Sequence, residues 1–256
     1  MISDKAVIHP NAKIGPNVSI GPFTVIGPDV EIGAGCWIGP HVVINGPTRL
    51  GKDNKIFQFA SIGEAPQDKK YDGEETWLIV GDGNIFRECT TVTRGTVKGG
   101  AKTVIGNHNL FMAYVHIAHD CMIGNETVFS NNASLAGHVR VEDFANLSGF
   151  VGVHQFCSIG RYSFCAGGSI IVKDVPPFIT VQGYPASVHG LNSEGLKRRQ
   201  FDSETLSQLK RAYRALYREG LTLEEALVKL EEMVLECPPV QLLIDFIKAS
   251  ERGIIR

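Results

Sequence analysis

The amino-acid sequence predicts a mainly β fold, a column of stacked short strands over residues 1–190, followed by an α-helical domain over residues 191–256. Three observations predict it. Apolar side chains recur at every sixth position along most of the chain, and the 256 residues include 28 glycines and 12 prolines, a turn-rich composition. Beyond about Asn192 the period changes to that of amphipathic helices.

The repeat begins with Ile8, Ile14, Ile20, Ile26, Ile32, Ile38, Ile44, Leu50, Ile56 and Ile62. A second register holds Val80, Phe86 and Val92, and a third runs from Ile105 through Phe111, Ile117, Ile123, Phe129, Leu135, Val141, Leu147, Val153, Ile159 and Cys165 to Ile171. Four residues after many of these stands a small or β-branched side chain, such as Ala12, Val18, Thr24, Ala133 or Val139, and glycine often follows directly. Neither a 3.6-residue helix nor a plain strand repeats every six residues, whereas a short strand closed by a tight turn does. The apolar residue then points inward, and Gly, Asn or Asp near the bend is expected to take the awkward backbone angles. Stacked units bury one column, each rung about 4.8 Å above the last. In this the sequence resembles the hexapeptide-repeat proteins, which implies a left-handed, triangular parallel β-helix with 18 residues per coil.

The register breaks at 63–79 and 93–104, two polar stretches that read as loops extruded from the column. Long loops in compact folds more often carry function than not, although idle insertion is the other reading. After Ile171 the period stops, and DVPPF and GYPAS mark a linker. In the tail Leu206, Leu209, Tyr213, Leu216 and Tyr217 share a helix face, with Ser203 expected as N-cap. Thr222 and Glu225 form a capping box before a second helix carrying Ala226, Leu227, Leu230 and Val234. Pro238 and Pro239 end it, and a third helix with Leu243, Phe246 and Ile247 is expected to close at Gly253.

Composition narrows the function. With 25 basic and 27 acidic side chains the net charge is −2, which argues against nucleic-acid binding. No stretch is long and apolar enough for a membrane span, and the N-terminus lacks the apolar core of a signal peptide, so a cytoplasmic protein is expected. The six cysteines show no CxxC pair, and free buried thiols are the better reading than disulfides. On the repeat, Cys36, Cys121 and Cys157 fall on the small inward position and Cys165 on the apolar one.

His116, His119, His138 and His154 lie outside the inward positions and near one rung. At 18 residues per coil Gly137 stacks over His119, and His138 over Asp120. Imidazoles beside a carboxylate suit an acid–base site; a zinc site of the γ-carbonic-anhydrase kind, making the chain a hydratase on the same column, and a solvated surface are the alternatives.

The segments NLFMAYVHIAHDC, NNASLAGHV, VHQFC and NSEGLKRR, with PQDKK and RGT in the two loops, resemble the UDP-N-acetylglucosamine 3-O-acyltransferases of lipid A synthesis across essentially the whole chain. The resemblance implies transfer of an (R)-3-hydroxyacyl chain from acyl carrier protein to the sugar 3-hydroxyl, with no cofactor and no metal. It implies His119 as general base, Asp120 orienting it, and the Gly137 N–H as oxyanion donor. Asp68, Lys70, His116, His138, His154 and Gln155 would line the sugar-nucleotide site. Asn192, Glu194, Arg198 and Arg199 would hold uridine, ribose and pyrophosphate; read alone, LKRR is a solvated helix start. Gly167 would set acyl-chain length, its other reading being a plain turn glycine. Sites between subunits imply a homotrimer, and Lys210, Arg211, Arg214 and Arg218 form a basic run that acyl carrier protein or only solvent could face. Three positions depart from the family pattern: Thr93 for His before RGT, Lys69 for an apolar residue, and Gln200 for Gly.

Overall fold

The structure, a computed structural model, describes all 256 residues. The chain winds into a left-handed parallel β-helix with three faces of nine, eight and ten strands. The first face runs from Val7–Ile8 to Ile170–Ile171 and the second from Lys13–Ile14 to Ser158–Ile159. The third runs from Ser19–Ile20 to Phe164–Cys165, then gains the hairpin Ile179–Gly183 and Ala186–Leu191. Every pairing is parallel except within that hairpin. The hexad residues stack in register: Ile8 on Ile26, Ile26 on Ile44, Ile117 on Leu135, Leu135 on Val153.

One continuous core fills the column, and nearly every hexad residue from Ile20 onward is fully buried. At roughly 1.5–3 kcal/mol per large apolar side chain, this burial is what offsets the ordering of the chain. Phe86, Phe111 and Phe129 stack inside it with ring centroids 4.9 and 5.1 Å apart. Among the buried polar residues, Asn54, Asn84 and Asn109 form a ladder in which each side-chain carbonyl accepts from the backbone N–H one coil on. Cys36, Cys121, Cys157 and Cys165 are buried free thiols, and burial pushes Cys121 and Cys165 up to about 12.

The turn chemistry meets expectation only in part. Asn17, Asp29, Asp53, Asp120 and Asn132 take left-handed corner positions as expected, but aromatic residues and histidines hold many others, among them Phe23, Phe59, His138, Phe150 and Phe156. Their side chains stack from coil to coil along the corners, as His138 does on Phe156 with centroids 4.5 Å apart. The glycines after the apolar residue serve close approach instead. A Cβ at Gly33 would lie 2.4 Å from the Gly51 oxygen, and one at Gly106 2.4 Å from the Gly124 oxygen.

The loops are shorter than the register breaks, because strands Ser61–Glu64, Trp77–Val80, Thr91–Thr93 and Lys102–Ile105 extend into both. The stack also outlasts the hexad: Ile179–Gly183 pairs with Phe164–Cys165, and Val175 bridges Ile159. Pro176 and Pro177 break the six-residue spacing there while Val175, Ile179 and Val181 keep the core filled.

The tail forms α1 (Ser193–Arg198), α2 (Ser203–Tyr217), α3 (Leu223–Met233) and α4 (Val240–Ala249). The capping box of α3 is present. Asp202 rather than Ser203 caps α2, its carboxylate accepting from the Thr205 N–H, so the helix starts one residue earlier than expected. Gly253 does not close α4; it lies in the tail whose carbonyl accepts from the Asp174 N–H. Leu209, Leu216, Leu230, Leu243 and Ile247 bury a second core against Phe178 at the end of the column.

Candidate active site

Both loops leave the column at the corner between the first and second faces, the corner that carries Asp120, His138 and Phe156 one coil above another. A cleft of about 720 Å³ forms there. Gln67, Asp68, Lys69 and Lys70 line it from the first loop, Thr96 and Lys98 from the second, and His119, His138, Gln155 and Phe156 from the corner.

His119 and Asp120 form its chemical centre. The left-handed backbone of Asp120 (φ 61°) turns its carboxylate under the second loop, where the side chain is fully buried. Its Oδ1 accepts the Thr96 N–H at 2.7 Å, and Oδ2 accepts the Thr96 hydroxyl at 2.7 Å. Oδ2 also lies 2.7 Å from His119 Nδ1. A carboxylate has no proton to give, so Nδ1 is the donor and the lone pair of the neutral ring is on Nε2. Gly137 packs on this ring, since a Cβ there would stand 2.5 Å from Cε1 and 2.8 Å from Nε2. The Gly137 N–H makes no backbone hydrogen bond.

His138 Nε2 lies 3.6 Å from Asp120 Oδ2, and its ring meets His119 edge-on at 5.2 Å. These three residues place donor atoms within 4.8 Å of one another, the only His, Cys, Asp and Glu group in the chain compact enough for a metal ion. A cation between them would have to displace the His119 Nδ1 proton and compete with the Thr96 bonds to both carboxylate oxygens. The arrangement suits proton transfer better.

His116 and His154 stand on or beside the first face and outside the lining of the cleft. His116 Nδ1 pairs with Thr91 Oγ1 at 2.7 Å, and burial, with His119 nearby, holds its imidazole below the usual range. His154 is exposed and its Nδ1 donates to the Gln155 carbonyl at 3.1 Å.

A second cleft, about 510 Å³, opens at the corner between the second and third faces. Asn192, Glu194, Arg198 and Arg199 line it with Phe144 and Tyr162. Asn192 caps α1 through Gly195 N–H and donates to the Tyr162 carbonyl. Arg199 lies over the Phe144 ring at 4.5 Å and pairs with Glu126 Oε2 at 2.5 Å. One chain therefore puts the two groups of candidate residues on different corners, with the second face between them.

Thr96 lines the first cleft, and Thr103 and Arg94 support it from behind, roles that no motif spacing marks. Thr103 Oγ1 accepts the Asp120 N–H. RGT was visible as a motif, but its contacts join residues about 25 positions apart. Among the departures, Lys69 lines the first cleft, and Thr93 is buried with an unpaired hydroxyl. Gln200 sits at φ 63° just after α1, a conformation that explains glycine as the usual residue there.

Comparison with known proteins matches this architecture. A family model described as UDP N-acetylglucosamine O-acyltransferase, domain 2, fits residues 174–255, and the bacterial transferase hexapeptide model fits 1–37 and 102–137. An acyl-[acyl-carrier-protein]--UDP-N-acetylglucosamine O-acyltransferase of Halorhodospira halophila is 55% identical over 255 residues, covering 100% of this chain and 99% of that protein. The chain belongs to the UDP-N-acetylglucosamine O-acyltransferase family. The Thiobacillus denitrificans enzyme of that name is 58% identical over 203 residues, 79% of each chain. The crystal structure of a Moraxella catarrhalis UDP-N-acetylglucosamine O-acyltransferase superposes with a TM-score of 0.97 at 46% identity, covering 100% of this chain and 99% of the other.

Proposed function

We propose that this member of the UDP-N-acetylglucosamine O-acyltransferase family transfers an (R)-3-hydroxyacyl chain from acyl carrier protein to the 3-hydroxyl of UDP-N-acetylglucosamine, opening lipid A synthesis. The observation that carries the mechanism is the His119–Asp120 pair, with Nε2 free and a backbone N–H stacked above it. A sugar hydroxyl attacks a thioester only once its proton is taken, and a neutral imidazole suits that task. His119 Nε2 removes the proton as the oxygen attacks the thioester carbon. The Gly137 N–H donates to the resulting oxyanion. On collapse the carbon–sulfur bond breaks, the imidazolium returns its proton to the departing sulfur, and the sugar ester and free thiol leave. Asp120 stabilises the imidazolium without being protonated. No cysteine nucleophile and no cofactor or metal enters these steps.

Asp68, Lys70, His138 and Gln155 bind the sugar on this reading, with His116 and His154 flanking. Asn192, Glu194, Arg198 and Arg199 take the nucleotide, arginine suiting phosphate by its planar fork. Because the two groups lie on different corners, the complete site joins one chain's first cleft to another chain's second, in a homotrimer. The exposed apolar edge supports this: Phe23, Phe59, Tyr114 and Phe150 share one corner and are each more than half exposed. Acyl carrier protein, an acidic partner, would dock near Lys210, Arg211, Arg214 and Arg218 on α2. No helix is long and apolar enough to cross a membrane, and six free thiols suit the reducing cytoplasm.

The test is turnover with UDP-N-acetylglucosamine and an acyl carrier protein thioester. His119→Ala is expected to lose about 10²–10⁴-fold. Near-wild-type turnover rejects the base. Light scattering that finds an active monomer rejects the trimer.

A further inference from the structure

We propose that the Arg94–Gly95–Thr96 turn is a positioning device that fixes the catalytic carboxylate with one residue and braces the sugar-binding loop with another. The inference rests on the His119 mechanism above and assigns a task to residues outside it.

Thr96 is the only residue that bonds both oxygens of Asp120, through its N–H and its hydroxyl, each at 2.7 Å. Two donors on the two oxygens fix the plane of the carboxylate as well as its place. The orientation of His119 follows, because its Nδ1 proton has Oδ2 as partner. The second loop closes the remaining side: Gly99 lies so near that a Cβ there would be 2.0 Å from the Asp120 Cγ. Water is thereby kept from a carboxylate that must act by orientation.

Arg94 reaches the other way. Its Nη1 donates to the Gly63 carbonyl at 2.7 Å and its Nη2 to the Tyr71 hydroxyl at 3.1 Å, while its N–H donates to the Glu64 carbonyl. Gly63 and Glu64 begin the first loop, and Tyr71 stands directly after Lys70, its hydroxyl donating to the Glu74 carbonyl. Between the two, Gly95 lets the turn close on the next strand, since a Cβ would be 2.2 Å from the Lys102 nitrogen. Two residues of one turn, Arg94 and Thr96, thus hold the loop that carries Asp68 and Lys70 and the proton-transfer pair.

The geometry separates the two roles kinetically. Thr96→Val keeps the N–H and deletes the hydroxyl, so kcat should fall about tenfold, the scale of one charge-assisted hydrogen bond, with KM for UDP-N-acetylglucosamine within twofold. Thr96→Ser should restore most of kcat. Tyr71→Phe should raise that KM several-fold and leave kcat in place. The deciding measurement is Thr96→Val in a His119→Ala background, followed by single-turnover assay of the full-length enzyme. With no base left to orient, Thr96→Val should cost nothing further. An added tenfold loss there, or a Thr96→Val effect on KM alone, overturns the proposal while the base assignment stands. A His119→Ala variant with wild-type turnover overturns the base assignment and this proposal together. If Thr96→Val does not fold, Thr96→Ser and Tyr71→Phe still decide: a Thr96→Ser kcat tenfold down, or a Tyr71→Phe loss confined to kcat, overturns it.

Discussion

Gly137→Ala is expected to slow acyl transfer about 100-fold in a protein that still folds. The added Cβ would stand 2.5 Å from His119 Cε1, whereas ordinary contacts lie at 3.4–4 Å, so the ring must retreat by about 1 Å. It cannot do so freely, because Nδ1 is bonded to Asp120, which Thr96 holds by both oxygens. A misplacement of about 1 Å costs on the order of 10² in rate, about 2.7 kcal/mol of barrier. The backbone offers little resistance, since Gly137 is not in the left-handed region. Alanine also keeps the N–H, so oxyanion donation is retained and the loss reports on the imidazole alone. The assay is kcat with both substrates saturating, beside a thermal unfolding curve. A folded variant with kcat within threefold of wild type would refute the reasoning.

Three further expectations follow from other parts of the molecule. Gly167 is exposed and not left-handed, the left-handed corner residue being Gly168, and a Cβ there meets only the Gly149 oxygen at 3.4 Å. Gly167→Met should therefore fold normally and move the preference from twelve- or fourteen-carbon toward ten-carbon thioesters, by about fourfold in kcat/KM per lost methylene; an unchanged chain-length profile removes Gly167 as the ruler. Gln200→Gly relieves a left-handed side chain at φ 63° and should raise stability by about 0.5–1 kcal/mol, read as an unfolding midpoint a few degrees higher; a lower midpoint contradicts it. Burial pushes the Cys157 thiol up to about 11 and the Cys121 and Cys165 thiols up to about 12, so these three should resist alkylation at pH 8 while the less buried Cys89 reacts. Because the folded state keeps protons that the unfolded chain releases near pH 9, their contribution to stability declines as the pH rises from about 9 toward 12. Prompt labelling of Cys165 in native protein at pH 8 would show the core to be open.

The fold was legible because its signal is local and repeated. Ile8 to Ile62 announce the period in one glance, and each hexad can bury its apolar residue only by stacking on the next. The helical tail was legible for a similar reason, although at its long helix Ser203 and the neighbouring Asp202 both offer a capping oxygen and only the structure shows that Asp202 supplies it. Turn chemistry is less legible. A glycine that permits close approach and one that permits a left-handed φ look identical in sequence, and only the distances at Gly33 and Gly106 tell them apart.

The sequence by itself determined which residues face inward and which titratable groups share a rung, since an 18-residue coil places Gly137 over His119 by counting. It could not determine what holds those groups. Thr96 meets Asp120 only because the second loop folds back over the corner, and Arg94 meets Tyr71 only because both loops leave the same corner. Nor could counting show that Asn192 and Arg199 lie on another corner from His119. That separation depends on how the tail docks against Phe178 at the end of the column, a contact between residues distant in sequence that has no period to betray it.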